Sequence, residues 1–151
     1  MSTPTITHAT PAEDASTGTL QLVVFSVHGE RYALPITAVR EIIRYITPGA
    51  SGAAAGAVQG MISLRGRVLP VMDLGAQLGN PCEIAESTKI LVVDLDGRSI
   101  GMIVDAVEEV LYVDAEQIET VDSDGALSNT VAKVDDQLIV LLDANRIRAG
   151  V

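Results

Sequence analysis

The sequence is poor in the residues that carry most catalytic and redox chemistry. It has one cysteine, Cys82, so no internal disulfide can form, which fits a reducing compartment. Its two histidines, His8 and His28, fall in a polar N-terminal stretch and at a turn. Neither offers Cys82 a base held in place by a third group, as a Cys–His nucleophile requires. Tryptophan is absent, and the aromatics are Phe25, Tyr32, Tyr45 and Tyr112. The core must be built from Val, Ile, Leu and Ala, a β-branched composition that favours strands. Basic residues are scarce, 10 against 20 acidic ones, for a net charge of −10. That balance argues against partners with phosphate backbones and against an anionic membrane surface. No apolar run approaches the roughly 20 residues of a membrane helix. The first residues lack the basic and apolar segments of a secretory signal. Gly52, Gly56 and Gly60 have membrane-dimer spacing but no apolar span around them, so they read as a loop.

Motifs for phosphate, zinc and serine chemistry are also missing. Among Asp94, Asp96, Asp105, Asp122 and Asp124, only Asp122-Ser123-Asp124-Gly125 resembles the opening of a calcium loop. No Glu follows at the spacing an EF-hand needs, so these residues read as turn formers. The expectation is a chain that is not an enzyme, with no cofactor and no metal. A small acidic enzyme using a divalent ion is the remote alternative.

What is present is a repeated pattern of short apolar strands. A chain of 151 residues makes one compact domain or two very small ones sharing a boundary. Residues 1–19 are Thr-, Ala-, Pro- and Ser-rich without apolar period and read as a disordered tail. Leu20 to Val27 is apolar on both faces, as a strand packed on both sides would be. His28-Gly29 turns it into a second strand, Arg31 to Ile36. Val39, Ile42 and Ile43 then fall at i, i+3 and i+4, which predicts one or two helical turns entered from Thr37 as N-cap. A Gly/Ala loop covers 47–60, and an Arg65-Gly66 hairpin follows. Gly75 to Pro81 reads as a helical turn, and Lys89 to Leu95 as a strand ending at Asp96-Gly97.

Adding 68 carries Val24 to Val92, Gly29 to Gly97, Ala38 to Ala106, Val39 to Val107, and Glu41 to Glu109. Adding 70 carries Val68 to Leu138 and Asp73 to Asp143. This register predicts a duplicated unit of about five strands, and small sheets of that size close into barrels to remove their edges. The two copies differ in charge at one hairpin: Arg65-Gly66-Arg67 becomes Asp135-Asp136-Gln137. Two arginines on an acidic chain fit a guanidinium held for a partner's carboxylates, or braced by Glu41 until one arrives. They equally fit solvated hairpin tips.

Gly60-Met61-Ile62-Ser63-Leu64-Arg65-Gly66-Arg67-Val68-Leu69-Pro70-Val71-Met72-Asp73-Leu74 resembles the G-x-x-N-L-R-G-x-x-x-P-V-x-D-L hallmark of the CheW family of chemotaxis coupling proteins. Tyr32-Ala33-Leu34-Pro35-Ile36, with Val39-Arg40-Glu41-Ile42-Ile43, is similar to that family's Y-A-I-P-I and V-x-E-I-I blocks. The blocks from Ile100 to Val107 and from Leu138 to Asp143 also agree, so the resemblance spans about Leu20 to Ile147. Ser63 stands for the usual Asn, and Gly75 and Leu78 for the usual Arg and Phe.

The resemblance implies an all-β fold with short helices: two SH3-like five-stranded β-barrel subdomains packed around a hydrophobic seam. Residues 20–151 would form a single CheW-like domain. Its subdomains would span roughly 20–80 and 81–147, with terminal segments exchanged between them. It implies a cytoplasmic, non-enzymatic adaptor at membrane-associated receptor arrays. That adaptor would join the regulatory domain of a CheA-type histidine kinase to the signalling-tip helices of chemoreceptors. Val39, Glu41, Gly60 and Arg65 match positions of receptor coupling, and Ile42, Leu64, Val104 and Val107 would form the seam. No nucleic acid and no direct membrane insertion are implied. An adaptor of a related chemosensory pathway, for surface motility or development, is the alternative.

Overall fold

The computed structural model of the chain describes residues 19–49, 58–95, 97–120 and 130–142. The expected tail, most of the Gly/Ala loop, Asp96, the Asp122-Ser123-Asp124-Gly125 stretch and the residues from Asp143 onward lie outside them. Eleven strands are described: β1 (Thr19–Val27), β2 (Glu30–Pro35), β3 (Val39–Arg44), β4 (Val58–Leu64), β5 (Arg67–Asp73), β6 (Lys89–Leu95), β7 (Arg98–Val104), β8 (Ala106–Asp114), β9 (Ile118–Thr120), β10 (Thr130–Val134) and β11 (Gln137–Leu141). One short helix, α1 (Leu74–Gln77), and 3-10 turns at Ile36–Ala38 and Ala115–Gln117 complete the elements. The fold is all-β with short helices, as the family resemblance implies and the β-branched composition favours.

Two expectations fail. The loop expected over 47–60 is strand from Val58 onward, where Val58 and Gly60 pair with β5. The segment from Val39 to Arg44 is a strand, not a helix, and Thr37 lies inside the 3-10 turn, whose N-cap is Pro35. A bulge between Val39 and Glu41 shifts the register against β6. Burial still alternates along the strand, with Val39 and Ile43 on the core side. The exposed Ile42 on the other face completes the i, i+3, i+4 spacing and imitates a helical stripe.

The strands form two sheets, one in the order β8-β1-β2-β11-β10-β9 and the other in the order β3-β6-β7-β5-β4. The duplication is visible in this order. Each sheet takes its first two repeat strands from one half of the chain and the remaining strands from the other. Thus β1–β2 joins β8, β9, β10 and β11, while β6–β7 joins β3, β4 and β5. In both sheets the joint is parallel: β2 with β11 and β7 with β5. Residues 39–104 build one sheet, and 19–35 with 106–141 build the other.

Both sheets curl. The edge strands β8 and β9 are joined by only the three-residue turn Ala115–Gln117. In the second sheet, Gly49, just beyond edge strand β3, pairs with Met61 of edge strand β4: Gly49 N–H donates to Met61 O at 2.8 Å and Met61 N–H to Gly49 O at 3.1 Å.

Burial on both faces of β1 follows from its position. Leu22 and Val24 join Ala33, Val113, Ala132, Ile139 and Leu141 in a cluster of the six-stranded sheet. Phe25 and Val27, on the other face, join Tyr32 and Leu34 against Leu91, Val93, Met102 and Val104 of the five-stranded sheet. The second cluster therefore fuses the two sheets. Polar ties reinforce that junction. His28 N–H donates to Asp105 Oδ2 at 2.7 Å, and His28 Nε2 pairs with the Asn80 carbonyl at 2.5 Å.

Candidate functional site

The hairpin β4–β5 turns on Arg65 (φ 52°) and Gly66 (φ 79°), the pair of positive φ values that a type I′ turn requires. Arg67 is already in β5. This two-residue turn places the Arg65 side chain at an exposed tip, and β3 brings Glu41 beneath it. Arg65 Nη2 lies 2.8 Å from Glu41 Oε1. The pair is half in water, so it contributes at most about 1 kcal/mol to stability. Its consequence is positional: the guanidinium is aimed, and four of its five N–H donors need no internal partner to be satisfied by solvent or by another protein.

Around the pair is a cleft of about 240 Å³ lined by Arg40, Glu41, Leu64, Arg65, Arg67, Leu69, Val92 and Ser99. Leu64, Leu69 and Val92 supply apolar surface, and the charged groups ring it. Arg40 is held by Asp94 at 3.2 Å, and Ser99 Oγ donates to the same carboxylate at 2.7 Å. An apolar patch with aimed charges at its rim suits protein recognition.

The structure brings Glu41, Leu64 and Arg65 together and places the other sequence-derived residues elsewhere. Val39 packs against the core at the start of β3. Gly60 is buried at a bulge between Val58 and Gly60, beneath Gly49 and away from the cleft lining. Val104 is fully buried, and Leu64 and Val107 pack against the core cluster that joins the sheets. Ile42 is 42% exposed. Its repeat counterpart Val110 is 45% exposed, and the pair Val68 and Leu138 are 66% and 61% exposed. Exposure of apolar side chains is thus copied along with the strands. Leu69, Val92 and Ser99 were not evident as site residues in the sequence, because they join the cleft only through the pairing of β5, β6 and β7.

Cys82 is no nucleophile. It is buried, and burial first, then the neighbouring Asp73 carboxylate, pushes its thiol well above the ordinary value of 9.0. Asp73 itself is buried and accepts from Ala76 N–H at 3.2 Å and Cys82 N–H at 3.1 Å, capping α1 and anchoring the return of the chain. Among the described residues no cluster of three or more His, Cys, Asp or Glu is arranged for a metal. No helix among them is long and apolar enough to cross a membrane.

The family model for the CheW-like domain matches residues 21–150. The chain belongs to the CheW family. It is 31% identical to the chemotaxis protein CheW of Bacillus subtilis over 134 residues, covering 84% of this chain and 85% of that one. To the chemotaxis protein CheW of Rhizobium meliloti it is 30% identical over 144 residues, covering 90% and 92%. The crystal structure of scaffolding protein TtCheW from Thermoanaerobacter tengcongensis superposes with a TM-score of 0.77 at 32% identity, covering 82% of this chain and 88% of that one. CheW proteins are scaffolds rather than enzymes, and this member is a chemotaxis adaptor of the same non-enzymatic kind.

Proposed function

We propose that this CheW-family adaptor couples a CheA-type histidine kinase to the cytoplasmic tips of methyl-accepting chemoreceptors. It would work in the cytoplasm, recruited to membrane-associated receptor arrays. Residues 20–151 act as one domain in this reading, with the kinase's regulatory domain and the receptor's signalling-tip helices as partners. Val39, Glu41, Gly60 and Arg65 serve receptor coupling, and Ile42, Leu64, Val104 and Val107 contribute the apolar seam.

The observation that carries the reading is the Glu41–Arg65 pair at 2.8 Å on an exposed turn beside an apolar cleft. Charge reversal tests it. Arg65→Glu places two carboxylates face to face at the rim and removes the aimed guanidinium. Kinase activation in arrays reconstituted with receptor and CheA should fall about tenfold or more, the effect of losing roughly 1.4 kcal/mol of contact. Thermal stability should change by no more than about 0.5 kcal/mol, as at most surface positions. A chain that pulls down neither kinase nor receptor tip would sink the reading. A large fall in Tm would make Arg65 structural instead.

A further inference from the structure

Arg44 at the end of β3 stands directly opposite Lys89 at the start of β6 in an antiparallel pair. Like charges in that position repel and destabilise the sheet. In a chain of net charge −10, neutralising one of them would be easy, and several other described cations are neutralised, though Arg67 and Arg98 are not. Arg31 has Glu109, Arg40 has Asp94, Arg65 has Glu41, and Lys133 has Glu119. Among the described residues neither Arg44 nor Lys89 has an ion pair; the Lys89 ammonium only donates to the Ser87 carbonyl at 3.4 Å. The two cations line a cleft of about 510 Å³ with Tyr45, Ala85, Glu86 and Thr88.

We propose that this cleft docks an acidic, amphipathic segment of a partner protein, whose carboxylate sits between Arg44 and Lys89. The apolar character of the occupant follows from the flanks. Ile42 shares the face of β3 with Arg44, and Ile46 lies two residues beyond; both are exposed. An inorganic anion would make no use of them. Glu86 on the rim repels a polyanion while leaving room for one carboxylate, so nucleic acid does not fit. The site is separate from the Glu41–Arg65 cleft, because Glu41 and Ile43 face the other side of β3 from Ile42 and Arg44. It goes beyond the coupling reading, with which it shares only Ile42, and its test needs neither partner named there.

The test titrates the full chain with a fluorescein-labelled peptide of alternating Glu and Leu, followed by anisotropy and by backbone amide NMR shifts. A Lys–Leu peptide and inorganic phosphate serve as comparison probes. The Glu–Leu peptide should bind saturably, weaken as salt rises, and shift amides at 42–46 and 85–89. Arg44→Glu with Lys89→Glu should weaken it about tenfold or more, the doubled Gln variant less, and Arg98→Glu, at an exposed arginine outside the cleft, not at all. Arg44→Glu alone turns a repulsion into an attraction, so its Tm should stay level or rise. The proposal is overturned if binding is not saturable, if the reversal leaves it intact, or if the shifts map to the Arg65 turn. Equal binding of phosphate or of the Lys–Leu peptide at the same residues would overturn it too, as would a marked fall in Tm for Arg44→Glu.

Discussion

A side chain on Gly60 would place its Cβ 2.2 Å from the carbonyl oxygen of Gly49. These two residues meet where the segment after β3 bridges to β4, and Gly60 is held there at φ +151°, a region L side chains rarely adopt. Gly60→Ala therefore carries both a backbone clash and a dihedral strain. We expect a loss of about 2–4 kcal/mol in chemical denaturation. If Gly60→Ala loses receptor coupling, the loss will accompany instability, whereas that of Arg65→Glu will not. The two positions share a motif but act through different physics.

The second hairpin carries a correctable defect. Asp135 and Asp136 adopt φ 49° and 64°, the values that Arg65 and Gly66 adopt in the first copy. Asp tolerates this region better than most residues, but Gly at the second position is better still. Asp136→Gly should raise stability by about 0.5–1 kcal/mol, read as a shift in Tm, and Gly66→Ala should lower it by about the same amount. No atom crowds Gly66 within 4 Å, so its cost is conformational alone.

Cys82 makes alkaline stability depend on one buried thiol. Its folded pKa lies above the ordinary 9.0, raised by burial and then by Asp73. Below 9.0 both states keep the proton; above it the unfolded chain releases the proton while the folded chain retains it. Stability should therefore fall as pH rises past 9.0, with a slope of at most about 1.4 kcal/mol per pH unit. Tyr32, raised by burial and then by Glu30, adds a slope of the same sign only above its ordinary 10.0. Cys82→Ala should flatten the decline between those values. An unchanged slope would show that Cys82 does not carry it.

The hairpins and the repeat were legible because turn chemistry and period-two patterning are local. His28-Gly29, Arg65-Gly66 and Asp135-Asp136 each sit where the strands reverse. The segment Val39–Arg44 imitates a helix because Ile42, on the exposed face, is as apolar as the core-packed Val39 and Ile43, and only the pairing with β6 tells the two faces apart. The same limit hid half the cleft: Glu41 and Arg65 stood out as charges, whereas Leu69, Val92 and Ser99 look like any strand residues until three strands are paired. Gly75, which departs from the family pattern, also has its reason in distant chain. A Cβ there would meet Asn80 O at 2.6 Å and Cys82 N at 2.8 Å, so the residue usual at this place, Arg, would displace the return from α1.

The exchange of strands between the halves also sets an order of assembly during synthesis. The five-stranded sheet has all its members once residue 104 has left the ribosome. The hairpin made first, β1–β2, can seat Phe25, Val27, Tyr32 and Leu34 on that sheet. Its other face, Leu22, Val24 and Ala33, must wait for β8 and β11, because its partners from other strands lie among residues 111–141. The earliest segment to be translated is among the last to be enclosed, and a nascent chain stalled before residue 141 would leave it open to whatever binds bare strands.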